Sequence, residues 1–142
     1  MAIAEPADEA MPDPEVIINV LIEMAKNARK HAYAPYSHYR VGAALLTVRG
    51  EVFTGCNVEN SSYGLSICAE RGAVMKAVGE GQRKFDAIAV VTEDGGSPCG
   101  ACRQFLSEFG DDIMVILSDP RGRYTLTSIG DLLPMAFNLR RG

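Results

Sequence analysis

Two short runs limit the architecture of this chain more than any other feature. Ala87 to Val91 (AIAVV) and Ile113 to Leu117 (IMVIL) are apolar at every position. A strand with one wet face alternates apolar and polar residues, whereas a strand without alternation is covered on both faces. Two such strands require helices on either side of a sheet. The remaining segments supply them. Asp13 can N-cap a first helix with Pro14 at its opening position, and the helix must end before Pro35. Val16, Ile17, Val20, Leu21, Met24 and Ala28 form its apolar stripe, widened by Ile18 and Ile22. So wide a face predicts contact with the sheet and with a second subunit. Val41 to Val48 and Glu51 to Gly55 read as a hairpin around Arg49-Gly50. A helix starts near Cys68 and stops at Gly79 and Gly81, and another runs from Cys99 to Phe109. Tyr124 to Thr127 reads as an edge strand, and a short helix runs from Ser128 to Pro134. The order α-β-β-α-β-α-β-β-α predicts a three-layer α/β/α sandwich around a mixed five-stranded sheet.

At 142 residues the chain has the length of one domain and can bury roughly 68–70% of its unfolded surface. Neither disulfides nor a structural metal are needed for it to fold. The net charge of −4 is unevenly placed. Residues 1–15 hold five acidic side chains and no Lys or Arg, while the rest holds 13 acidic and 14 basic ones. A near-neutral body without basic clusters and without Trp disfavours a polynucleotide partner. No apolar run approaches the roughly 20 residues that span a bilayer. Met1 to Asp13 lacks the basic start and apolar centre of a signal peptide. Residues 1–13 are expected to be a disordered acidic tail, residues 14–142 one domain, and the protein cytoplasmic.

The four cysteines are Cys56, Cys68, Cys99 and Cys102. In a cytoplasmic chain a disulfide framework is not expected. Cys68-Ala69-Glu70-Arg71 and Pro98-Cys99-Gly100-Ala101-Cys102-Arg103-Gln104 both stand at expected helix starts. A helix N-terminus offers unpaired N–H groups and about half a positive charge, which favour a thiolate. Cys99 and Cys102 can share one metal there, with Cys68 as a third ligand from the other helix. Three protein ligands leave a position open for water, as in catalytic zinc sites. Three thiolates and Zn²⁺ sum to −1, so Arg71 and Arg103 are expected to donate hydrogen bonds to sulfur. Glu70 can reach the open position without being a ligand and can exchange protons with water. Taken alone, Cys99-x-x-Cys102 fits a redox pair equally well. Cys56 reads as a small core residue, with a fourth zinc ligand as the rival. His31 and His38 read as structural or solvated.

These fragments resemble the zinc-dependent nucleoside and nucleobase deaminases. Tyr33-Ala34-Pro35-Tyr36-Ser37, Val41-Gly42-Ala43-Ala44, Gly55-Cys56-Asn57-Val58-Glu59-Asn60 and Leu132-Leu133-Pro134 extend the resemblance to the small homotetrameric cytidine deaminases, from about Ile17 to Phe137. The resemblance implies one zinc ion per chain on Cys68, Cys99 and Cys102, with Glu70 carrying protons to N3 and the departing amine. It implies contact of the Ala69 N–H with the pyrimidine carbonyl, of Asn57 and Glu59 with the ribose, and of Tyr39 with the base. Tyr63 and Phe137 would reach a neighbouring subunit's site in a homotetramer. The implied reaction is hydrolytic deamination of a small pyrimidine nucleoside, cytidine or 2′-deoxycytidine, in pyrimidine salvage. Two positions depart from the family's usual pattern. Gly72 lies inside a helix, where close packing against a neighbouring helix is one reason for a glycine. Tyr39 stands where Phe is usual, and its hydroxyl needs a partner if buried. The rival readings are a deaminase of another cytosine-containing molecule, a polynucleotide editor, and a non-catalytic zinc or redox module. Glu70 argues against the last, since a structural metal has no use for it.

Overall fold

The computed structural model describes residues 13–141. The expected acidic tail lies outside the described residues except for Asp13, which caps the first helix. Helix α1 (Pro14–Arg29) opens with the Asp13 carboxylate accepting the Glu15 N–H at 2.9 Å. Ile18, Leu21, Ile22 and Ala25 form its buried face. Val16 and Val20, expected within the stripe, are 52% and 49% exposed. They stand two residues either side of Ile18, about 200° around the helix, and so point away from the sheet.

The sheet contains β1 (Gly42–Thr47), β2 (Val52–Cys56), β3 (Phe85–Val91), β4 (Met114–Ser118) and β5 (Tyr124–Ser128), in the order β2-β1-β3-β4-β5. Only β3 and β4 run parallel, joined through α3 (Gly100–Ser107); the other neighbours are antiparallel. The expected mixed five-stranded sandwich is therefore present. Helix α1 covers one face, packing on Ala44, Ala87, Ala89, Val91 and Ile116. The opposite face is covered by α2 (Ala69–Gly79), α3 and the short α4 (Ile129–Leu132), packed on Ala43, Leu45, Ile88, Val90, Val115 and Leu117. Alternate residues of the two apolar runs thus serve opposite layers, which is why neither run alternates in polarity. Among the described residues, no helix is long and apolar enough to cross a membrane.

Register decides where function can sit. Gly42 pairs with Cys56 of β2 and with Val91 of β3. The carboxyl ends of β2 and β3 therefore share one edge of the sheet. The chain leaving β3 reaches α3 there through the loop of residues 92–99. The chain leaving β2 is first folded back on itself. Val58 bridges Tyr33 on one side and Ile67 on the other, exchanging two 2.9 Å backbone hydrogen bonds with Ile67. This lobe includes a 3-10 turn at Tyr63–Leu65 and returns the chain to the same edge at Cys68. The sequence over residues 57–64, polar and small, predicts only a loop.

Two glycines set the layer spacing. A methyl group on Gly42 would fall 2.0 Å from the Ala25 carbonyl oxygen, and one on Gly55 would fall 2.4 Å from that of Ala69. Gly42 thus seats α1, and Gly55 seats the first turn of α2. Gly72 has no such role, because a methyl there would meet Cys56 and Gly55 only at 3.9 Å. Its expected close packing against a helix is absent among the described residues. Gly55→Ala should lower stability by about 1–3 kcal/mol through overpacking, whereas Gly72→Ala should raise it by about 1 kcal/mol through helix propensity. Denaturant unfolding tests both; equal effects of the two substitutions would contradict this account.

Candidate active site

Cys68 is the N-cap residue of α2 and Cys99 the N-cap residue of α3, and neither side chain caps its helix by a hydrogen bond. The N–H groups of both first turns thus favour negative charge at the two sulfurs. Cys102 lies one turn into α3 and is fully buried. The three sulfurs lie within 4.8 Å of one another, with Cys68 and Cys99 at 3.9 Å. All four cysteines are free thiols, and Cys56 at the end of β2 stands outside this group. It does not close the site as a fourth ligand. Neither His31 nor His38 belongs to the cluster.

The electrostatics suit a cation. Hydrogen bonding from the Cys102 thiol holds Cys68 low, at about 6, against the effect of burial and with help from Cys99 and Arg71. The same contact with Cys68, together with burial, pushes Cys102 up. Three thiols this close cannot all ionise without a positive ion between them, and three converging sulfurs are a preferred donor set for zinc. One Arg71 nitrogen donates to the Ser66 carbonyl at 2.9 Å, while its Nε is buried without a partner. Arg71 also acts on Cys68, helping to hold its thiol low, and a metal-bound thiolate keeps lone pairs that accept a guanidinium N–H. The donor set and Arg71 both fit zinc.

Arg103 departs from expectation. Its Nε donates to the Pro98 carbonyl at 2.8 Å, Nη1 to that of Leu132 at 2.9 Å and Nη2 to Ser97 Oγ at 2.6 Å. None of these bonds reaches sulfur. Arg103 instead braces the loop that carries Cys99, because its side chain runs back along α3 past the loop carbonyls.

Glu70 lies in the first turn of α2 and is only 4% exposed. Burial pushes its carboxyl up to about 7, and charge at Cys68 adds to the rise against the pull of its own N–H, Cys102 and Arg71. It lines a cleft of about 310 Å³ with Cys68, Ala69, Cys99, Tyr39, Thr92 and Pro98. A second hollow of about 430 Å³ adjoins it and shares Ser37, Asn57, Glu59 and Cys68. Tyr63 stands on the rim of that outer hollow, 77% exposed, with its ring edge-on to Tyr36 at 6.3 Å. Phe137 is 69% exposed and lines neither hollow, although its carbonyl accepts a hydrogen bond from Gln104.

Asn57 and Glu59 are scaffold and lining at once. Asn57 Nδ2 donates to the Tyr39 carbonyl and its Oδ1 accepts the Val41 N–H, both at 2.9 Å. Glu59 accepts the Tyr36 N–H at 3.0 Å, the Ser37 N–H at 3.2 Å and the Ser37 hydroxyl. These bonds, led by the Ser37 hydroxyl, hold the carboxyl below its ordinary range. The Tyr39 hydroxyl has the partner it needs in Asp94, at 2.8 Å. Ser37, Thr92 and Asp94 were not singled out from the sequence. The one signal for Asp94 was the requirement that the Tyr39 hydroxyl find a partner.

Residues 17–118 match the model of the cytidine and deoxycytidylate deaminase zinc-binding region. A probable cytidine deaminase of Dictyostelium discoideum is 51% identical over 120 residues, covering 82% of this chain and 81% of that protein. The crystal structure of cytidine deaminase from Burkholderia pseudomallei superposes with a TM-score of 0.79 at 55% identity, covering 84% of this chain and 98% of that one. The blasticidin-S deaminase of Bacillus cereus is more distant, 31% identical over 82% of this chain and 89% of its own length. On the matched zinc-binding region and these identities, the chain belongs to the cytidine and deoxycytidylate deaminase family.

Proposed function

We propose that the protein converts cytidine and 2′-deoxycytidine to uridine and 2′-deoxyuridine, releasing ammonia. The observation that carries this reading is the burial of Glu70 in a cleft beside three converging thiols. Zinc held by Cys68, Cys99 and Cys102 supplies the Lewis acidity that lets water act as a nucleophile near neutral pH. Glu70 takes a proton from that water and passes it to N3 of the pyrimidine, which makes C4 electrophilic. The water oxygen bonds to C4. Glu70 then moves the remaining hydroxyl proton to the amine, the C4–N4 bond breaks, and ammonia leaves. Cytidine and water thus balance uridine and ammonia.

The cleft residues take the other roles. The Ala69 N–H, in the first turn of α2, donates to the pyrimidine carbonyl. Tyr39 packs on the base. Asn57 and Glu59, which line both hollows, meet the ribose hydroxyls. Arg71 steadies the Cys68 sulfur, and Arg103 holds the Cys99 loop. The exposed Tyr63 and Phe137 support assembly as a homotetramer in which each subunit completes a neighbour's site. The reading extends to one catalytic domain over residues 14–142, acting in the cytoplasm in pyrimidine salvage. The higher identity to cytidine deaminases than to a blasticidin-S deaminase supports a nucleoside substrate.

Purified protein should carry one zinc ion per chain by elemental analysis, and Cys102→Ser should lose it. A zinc-free protein with a Cys99–Cys102 disulfide would favour the redox reading. Glu70→Gln should keep zinc and fold while turnover of cytidine falls at least about 10³-fold; substantial residual turnover excludes the proton-carrying role. Glu59→Ala should reduce use of cytidine far more than use of free cytosine, and equal losses would remove the ribose assignment. Ammonia release from cytidine, deoxycytidine, cytosine, dCMP, blasticidin S and a single-stranded oligonucleotide identifies the substrate class.

A further inference from the structure

The Tyr39 hydroxyl is tied to a residue 55 positions away. Tyr39 stands on the segment entering β1, and Asp94 stands in the loop between β3 and α3. Both segments line the inner cleft, through Tyr39 on one and through Thr92, Gly96, Ser97, Pro98 and Cys99 on the other. Asp94 itself lines neither hollow. Its Oδ1 accepts the Tyr39 hydroxyl at 2.8 Å, the Gly96 N–H at 3.1 Å and the Thr92 hydroxyl at 3.2 Å. The Gly96 N–H also reaches Thr92 Oγ1 at 2.8 Å. A methyl group on Gly96 would fall 3.2 Å from both the Tyr39 oxygen and Asp94 Oδ1, so the glycine leaves the room that the pair occupies. Gly95, with φ of 74°, makes the turn that brings Asp94 and Gly96 together. From the far side Arg103 holds Ser97 and Pro98. The loop leading to Cys99 is therefore fastened at both ends, by Arg103 to its own helix and by Asp94 to Tyr39.

We infer that Asp94 is a positioning residue: through the Tyr39 hydroxyl it ties two segments of the cleft lining together and fixes the width available to the pyrimidine ring. This rests on the deamination reading for its substrate but not for the tie itself. A hydrogen bond to a carboxylate is among the stronger neutral-donor contacts, and it uses a carboxylate that already gathers two donors from its own loop. Removing the hydroxyl leaves the aromatic ring in place and frees the loop. The effect falls on substrate fit rather than on proton transfer, because neither residue touches Glu70 by a hydrogen bond.

The test is a double-mutant cycle on the zinc-loaded enzyme. Tyr39→Phe and Asp94→Ala should each raise KM for cytidine about three- to tenfold, with a smaller change in kcat. The double variant should be no worse than the poorer single one. Asp94→Asn, which keeps an acceptor, should restore KM to near the parent value. Amide hydrogen exchange in residues 92–98 should quicken about five- to tenfold in Tyr39→Phe. Unchanged exchange in that variant, multiplying KM effects, or an Asp94→Asn enzyme as impaired as Asp94→Ala would each overturn the inference. If the parent enzyme turned over no pyrimidine nucleoside, the deamination reading would fall, while the exchange measurement would still decide whether the tie exists.

Discussion

The pairing of Gly42 with Cys56 on one side and Val91 on the other is the constraint on which the site depends. It places the ends of β2 and β3 at one edge, so that two helices can begin within sulfur contact of each other. A strand slipped by one residue turns every side chain to the other face. Here a slip would also drive the methyl of Ala43 into the Ala25 carbonyl, where only a glycine fits. The packing of α1 therefore enforces the register that the thiol cluster needs, from the far side of the sheet. Gly55 does the same for α2, whose first turn carries Ala69 and Glu70.

From that edge the electrostatics follow. Two helix N-termini favour negative sulfur, while the cover that excludes water raises Glu70 toward neutrality. Burial opposes ionisation of both groups: it prevails at the Glu70 carboxyl, and at Cys68 it is outweighed by hydrogen bonding from Cys102, with help from Cys99 and Arg71. Zinc with three thiolates leaves a net −1, modest for a Lewis acid.

Most elements are legible from local signals. The Asp13 cap, the two unbroken apolar runs and the cysteine spacing each rest on a few adjacent residues, and each has a direct physical meaning. What escaped reading depends on contacts between distant segments. Val16 and Val20 looked like part of a stripe because periodicity cannot say which side of a broad apolar face meets the sheet. Arg103 looked like a partner for sulfur because it follows Cys102, yet its side chain turns toward Leu132, 29 residues on. The fold-back of residues 57–68 rests on isolated bridges of Val58 to Tyr33 and to Ile67 that no local pattern announces. The same holds for the Tyr39–Asp94 pair. Gly72 remains a glycine for which nothing among the described residues gives a reason.

Glu59 shows what such double duty means for binding. Its carboxylate is already anchored by the turn at Tyr36 and Ser37. The rotational freedom of this glutamate side chain is surrendered when the chain folds rather than when a ligand arrives. A sugar hydroxyl entering this hollow would meet an acceptor with little motion left to lose, so its affinity would be governed by fit and desolvation rather than by the ordering of the protein.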